Sequence, residues 1–139
     1  MDMNSADSTT LIGMVAVVLG TVGLALWMKW AITRKAKRIE GQAAPDSSAI
    51  DEGCEADRRV YYLYSQSCGP CRALTPRIDE LRCEYPNLIK LDVQQHPQLA
   101  RDFHAMATPS FVFVRDGRVE EVKLGPVNGD WLLERLRDG

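Results

Sequence analysis

Cys68-Gly69-Pro70-Cys71 is the stretch of this chain whose residue types and spacing can do chemistry. Two thiols with two residues between them can close a disulfide across the first turn of a helix. The run Val60-Tyr61-Tyr62-Leu63-Tyr64 before the pair is apolar and β-prone, and Leu74, Ile78 and Leu81 after it recur at helical spacing. The pair therefore falls where a strand ends and a helix begins, which suits a redox disulfide. A CxxC alone is weaker evidence, because zinc sites and structural disulfides share it. Thiol–disulfide exchange needs a thiolate that attacks, a mixed disulfide, and a second thiol that resolves it. Unpaired N–H groups and the dipole at a helix N-terminus favour negative charge, so Cys68 is the expected nucleophile, its pKa drawn from about 8.5 to near 7 or below. Cys71, one turn further in and more buried, is the expected resolving thiol. Pro70 has no N–H to lose in a first turn and stiffens the loop, and Gly69 lets a partner chain come close.

From about Arg59 onward the chain resembles the thioredoxin family. The matching pieces are Cys68-Gly69-Pro70-Cys71, Pro76 in the following helix, Lys90-Leu91-Asp92-Val93, Pro97, Thr108-Pro109 before the apolar run Ser110 to Val114, Asp116-Gly117 and Gly125. The resemblance, with the apolar N-terminal run Leu11 to Met28, implies a membrane-anchored thiol–disulfide oxidoreductase of the protein disulfide reductase type that needs no bound cofactor or metal, since the cysteines carry the electrons. It implies disulfide-containing protein substrates and a dithiol or reductase as electron donor. It also implies a cis bond before Pro109, a Thr108 backbone that pairs with an extended substrate segment, and a Gly125 turn that adds substrate contact. Gly-Pro between the cysteines points to a reducing potential, near roughly −270 mV as in thioredoxin.

Two positions depart from the family. Ser67 stands where a Trp is usual, and Tyr62 stands where the family buries an acid thought to move protons for the resolving cysteine. Lys90, the acid's basic neighbour in the family, is expected to lack its partner here. A tyrosine, with a reference pKa of about 10, is a poor base near neutral pH. Weaker general reductase activity, or tuning towards one partner, is the consequence expected. An alternative function follows: a redox-switched thioredoxin-like scaffold for a membrane partner, distinguished from an enzyme by its lack of turnover. A metal or cluster site held by Cys68 and Cys71 is a third reading, and Pro70 and Thr108-Pro109 speak against it. His96 and His104 stand at no finger-like spacing from the cysteines. Cys54 and Cys83 read either as incidental free thiols or as regulatory ones, by glutathionylation or by a disulfide between two chains through a mobile Cys54.

The N-terminal part is a different material. From Ser8 to Met28 there is no charged residue, and Leu11 to Met28 is nearly all apolar. A bilayer core takes about 20 such residues in a helix. Trp27 and Trp30 suit the lipid–water interface. Asp2 and Asp7 precede the run, whereas a secretory signal starts with basic residues, so a retained anchor is expected over a cleaved leader. Lys29, Arg34, Lys35, Lys37 and Arg38 follow it, which by the positive-inside rule puts the C-terminal side in the cytoplasm, the outer or periplasmic side being the alternative. Ala16 and Gly20 form a weak small-xxx-small pair.

The expected organisation is a short tail at 1–10, a transmembrane helix at 11–30 in contact with lipid, a basic juxtamembrane segment and acidic flexible linker at 31–58, and a thioredoxin-like domain at 59–139. Residues 40–57 read as a linker because they are small, polar and acidic. The net charge of −2 conceals this change from basic to acidic blocks. No basic stripe with interleaved aromatics is present, which excludes a nucleic-acid-binding class. Within the domain we expect strand 59–65, helix 69–84, strand 88–93, helix 97–104, strands 110–114 and 118–124, and helix 128–137. Asp116-Gly117 is a hairpin turn. The fold class is α/β: a mixed four-stranded sheet with flanking helices, preceded by one N-terminal membrane helix. A short helix within 47–57 is conceivable, and a strand there is not expected.

Overall fold

The computed structural model describes residues 3–51, 54 and 56–137. The chain divides into two compact units, Met1–Arg34 and Lys35–Gly139. The first is built on α1 (Met3–Lys37). Its stretch Thr10–Ile32, 23 residues, is long and apolar enough to cross a membrane. Apolar side chains occupy all faces of this helix and are exposed, unlike the one-sided stripe of a helix that packs on a core. The hydroxyl of Thr21 donates to the Val18 carbonyl at 2.9 Å, so this polar group is satisfied within its own turn. At the C-terminal end the Arg34 guanidinium lies 3.9 Å from the centre of the Trp30 ring.

The second unit carries β1 (Arg58–Tyr64), α2 (Gly69–Glu84), β2 (Leu88–Asp92), α3 (Pro97–Asp102), β3 (Ser110–Arg115), β4 (Arg118–Leu124) and α4 (Gly129–Arg137). The strands lie in the order β2-β1-β3-β4. β1 and β2 are parallel, joined by the crossover helix α2, and β3 runs antiparallel to both β1 and β4. Asp116 and Gly117 have φ of 50° and 71°, the left-handed pair that a tight hairpin between β3 and β4 needs. Alternation along the strands splits the core into two layers. Val60, Tyr62, Phe111 and Phe113 face α2 and α4, where Ile78, Leu81, Leu132 and Leu136 meet them. Tyr61, Leu63, Leu91, Val112 and Val114 face the other way, onto Phe103 and Ile39.

Helix α3 stops at Asp102, short of the expected 104. His104 takes φ of 53°, and the Ala105 and His104 amides donate back to the carbonyls of Ala100 and Arg101 at 2.8 and 2.9 Å. These bonds form a Schellman-type cap with histidine in the slot usually held by glycine.

The reading of 31–58 as a flexible linker is corrected over residues 39–51, and the domain does not begin at 59. Ile39 is 2% exposed and joins the core layer opposite α2. Gly41 and Ala44 donate backbone bonds of 2.7 and 2.8 Å to Val119 and Gly117, and Val119 returns one of 2.9 Å to Gln42. This stretch covers the otherwise open edge of β4. Ser47 to Asp51 then makes a single helical turn, and Cys54, expected to be mobile, packs partly buried against the same layer. Composition misleads here because a few apolar side chains among small polar ones suffice when backbone bonds carry the rest.

A buried polar cluster secures that turn. The Tyr61 hydroxyl donates to Asp51 Oδ1 at 3.0 Å and lies 2.7 Å from Ser47 Oγ, which donates to Asp51 Oδ2 at 2.8 Å. Arg59 pairs with the same carboxylate at 2.5 Å. Burial, aided by the neighbouring Asp51 charge, pushes the Tyr61 phenol up to about 12 from 10. The native state thus holds this proton more tightly than the unfolded chain. The stability it contributes is complete below pH 10 and is lost as pH rises towards 12. Denaturant unfolding across that window is expected to show a steeper fall for the wild type than for Tyr61→Phe; equal slopes would contradict this assignment.

Candidate active site

Cys68 caps the N-terminus of α2 from an extended backbone (φ −82°, ψ 116°). Its Sγ is joined to that of Cys71, with Cα atoms 5.2 Å apart. Cys71 is 1% exposed, whereas Gly69 and Pro70 lie on the surface and Cys68 is half-buried. The Cys71 amide donates to Cys68 Sγ at 3.2 Å, a bond that favours charge on this sulfur once the disulfide is opened.

The strand-end loop before β3 comes to the same place. The Thr108-Pro109 bond is cis, and the Thr108 carbonyl oxygen lies 3.4 Å from Cys68 Sγ. Ser110 Oγ donates to the Ala107 carbonyl at 3.0 Å. Gly125, with φ of 89°, donates its N–H to the Pro109 carbonyl at 2.8 Å. Cys68, Cys71, Gly69, Pro70, Thr108, Pro109 and Gly125 are therefore gathered at one end of the sheet, from the start of α2 and from the loops before β3 and after β4. Ser67 is exposed, its hydroxyl 2.8 Å from that of Ser65, so a small polar group replaces aromatic surface beside the disulfide.

Tyr62 is fully buried, stacked on Tyr64 with ring centres 5.5 Å apart and tilted against Phe111 at 5.2 Å. Its hydroxyl donates to the Cys71 carbonyl at 3.3 Å and lies 3.2 Å from Thr75 Oγ1, which donates to that carbonyl at 2.8 Å. Burial raises the phenol above its ordinary range, so it holds its proton at neutral pH and cannot act as the base. Its role is to anchor the first turn of α2. Tyr62→Phe is accordingly expected to change the rate of disulfide reduction by no more than about twofold, because the Cys71 carbonyl keeps its bond from Thr75 and the phenol moves no proton. A loss of tenfold or more, with the fold intact by circular dichroism, would reinstate the hydroxyl as a proton carrier.

Lys90 has a partner, contrary to expectation. Its Nζ lies 2.8 Å from Asp79 Oδ1 and 4.9 Å from the centre of the Tyr64 ring. Asp79 was missed because it sits on α2 away from the strand where the family keeps its acid. With a side chain 51% exposed, it makes a surface ion pair of small energetic value. Cys83 is an exposed free thiol, and Cys54 is free as well.

A dithiol that closes across a helix N-terminus, beside the Thr108 carbonyl that precedes a cis proline and with one cysteine partly exposed, has the geometry of a redox-active pair. The comparisons agree. The family model described as Thioredoxin matches residues 47–138, two-thirds of the chain. The chain is similar to Thioredoxin-2 of Pyricularia oryzae (41% identical over 63 residues, 43% of this chain and 37% of that protein). It is also similar to Thioredoxin-T of Drosophila melanogaster (32% over 80 residues, 55% and 50%). It thus spans half or less of these two relatives' length. Among solved structures, the oxidised form of mitochondrial thioredoxin 3 from Saccharomyces cerevisiae superposes with a TM-score of 0.54 at 25% identity, over 75% of this chain and 98% of that one. The chain belongs to the thioredoxin family. The match begins at residue 47, inside the segment whose composition reads as linker.

Proposed function

We propose that this chain is a membrane-anchored protein disulfide reductase that works through Cys68 and Cys71. The observation that carries this is the approach of the half-buried Cys68 sulfur to the Thr108 carbonyl, 3.4 Å, at the N-cap of α2. In the reduced protein the Cys68 thiolate attacks a substrate disulfide and forms a mixed disulfide, and one substrate sulfur leaves as thiolate. Cys71, losing its proton, then attacks Cys68 Sγ. The second substrate sulfur leaves, and the Cys68–Cys71 disulfide forms with two electrons passed to the substrate. A dithiol or reductase restores the pair. The Thr108 backbone and the Gly125 turn offer an edge along which an extended substrate segment lies.

The anchoring half of the proposal rests on Thr10–Ile32. Asp2 and Asp7 on one side, and Lys29, Arg34, Lys35, Lys37 and Arg38 on the other, favour a catalytic domain on the cytoplasmic face. There the thiol pool is reducing and a disulfide is transient. In our reading Thr10–Ile32 is the span and the domain proper runs from about Ile39.

Cys71→Ser tests both halves in one preparation. The variant is expected to accumulate mixed disulfides with other proteins, in the membrane fraction, that dissolve on adding a thiol reductant. The side of the membrane needs a second protein: in intact cells carrying the Cys54→Ser, Cys83→Ser variant with Cys68 and Cys71 retained, an impermeant maleimide is expected to leave both unlabelled until lysis, even after an impermeant phosphine. Labelling before lysis would place the domain outside; adducts absent from the membrane fraction would remove the anchor or the reaction.

A further inference from the structure

The domain has a second surface feature that the redox chemistry does not use. Arg38, Arg101, His104, Ala105 and Met106 line a cavity of about 230 Å³. Two arginines and a histidine thus line one concave site, and no carboxylate is among the described lining residues. Arg101 keeps donors to spare, since one Nη is engaged with Gln98 Oε1 at 2.8 Å. Such a donor set suits a phosphate group.

Two independent observations say where that phosphate comes from. The first is chain distance. Helix α1 continues without a break to Lys37, and Arg38 follows directly. Six residues of helix beyond Ile32 rise about 9 Å. A headgroup layer is roughly 5–7 Å thick on each side of the hydrocarbon, and an arginine side chain reaches across the difference. Arg38 cannot be far from the headgroups of a membrane that α1 spans. The second is Met106. Among the described residues it is the exposed large apolar side chain outside α1, 46% accessible, and it lies on the rim of this same cavity. Basic groups beside one exposed apolar side chain are the composition of a surface that rests on a bilayer.

We propose that this cavity binds the phosphate of an anionic lipid headgroup, with Arg38, Arg101 and His104 as donors and Met106 against the acyl boundary. This deepens the anchored reading and rests on it. The loop that carries Met106 runs on to Thr108, so headgroup binding keeps the Cys68–Thr108 edge at the bilayer surface. The substrates selected are then disulfides carried close to the membrane, in preference to those of freely diffusing proteins.

The test uses the full chain in nanodiscs of phosphatidylcholine alone or mixed with phosphatidylglycerol, read by hydrogen exchange of the amides from Gln98 to Thr108. Integration is checked first by alkaline carbonate. Anionic lipid is expected to slow exchange in this segment about fivefold or more, and Arg38→Gln with Arg101→Gln to abolish the slowing. Equal exchange in both lipids, or protection that survives the double substitution, overturns the proposal while leaving the anchor standing. Protection of the same size from inorganic phosphate in neutral nanodiscs assigns the cavity to a soluble anion and overturns the lipid assignment. Extraction by carbonate defeats the anchor itself, and the proposal with it.

Discussion

Replacing Cys68 by Ser is expected to lower protein disulfide reduction by about three orders of magnitude or more, the scale on which covalent catalysis fails when its nucleophile is removed. A serine hydroxyl neither ionises near neutral pH nor forms the mixed disulfide. The substitution is clean structurally, because Ser is a good N-cap and can still accept from the Cys71 amide, which now donates to the Cys68 sulfur at 3.2 Å. Folding is therefore expected to be retained, and the loss to be chemical. Cys71→Ser differs in kind: the first attack survives and resolution does not, so product stops at one adduct per chain. Mixing each pre-reduced variant with a protein disulfide in the absence of added thiol separates the two, since Cys71→Ser then traps one adduct per chain and Cys68→Ser traps none at this site. A Cys68→Ser protein that still turns over near the wild-type rate would mean that electrons pass elsewhere.

The second large effect concerns where the domain begins. A chain starting at Arg59 is expected to melt at least about 15 °C below one starting at Lys35, or not to fold. Burial of Ile39 is worth about 1.5–3 kcal/mol. Loss of the segment also removes the bonds that Asp51 and Ser47 make to Arg59 and the Tyr61 hydroxyl, at about 0.5–1.5 kcal/mol net for each. The edge of β4 also loses the bonds that Gly41, Gln42 and Ala44 make with Val119 and Gly117. Against a total stability of about 5–15 kcal/mol these losses are decisive, and each kcal/mol moves the melting point of a domain this size by about 4–8 °C. Thermal unfolding followed by far-ultraviolet circular dichroism gives the comparison. Equal melting points would mean that residues 39–51 lie on the domain without supporting it.

The redox site was legible because its signals are local. Cys68 and Cys71 stand at a strand–helix junction, and Thr108-Pro109 precedes a strand, so the family pattern placed both at one sheet end, where they are found. The hairpin was equally plain, since Asp116-Gly117 supplies the left-handed pair directly. What stayed hidden depends on contacts between distant residues. Asp51 looks like one more acid in a polar stretch until Arg59, Tyr61 and Ser47 are folded around it. Ile39 is a single apolar residue among basic ones, with no periodicity to mark it. Lys90 was expected to be alone because the strand acid is absent, and its actual partner, Asp79, comes from a helix. His104 ends α3 through a left-handed backbone that propensity assigns to glycine or asparagine. Tyr62 was rightly a concern as a base, yet its structural part, holding the Cys71 carbonyl with Thr75, needed the fold to be seen.

The most direct test of the account is the number of turnovers that the full chain achieves. The purified protein in lipid, supplied with a protein disulfide and an excess of a dithiol reductant, is predicted to reduce many substrate molecules per chain, with the Cys68–Cys71 disulfide formed and reopened in each cycle. Reduction that halts after one substrate per chain, with affinity for the partner changing as the disulfide opens, would contradict an enzyme and leave a redox-switched scaffold.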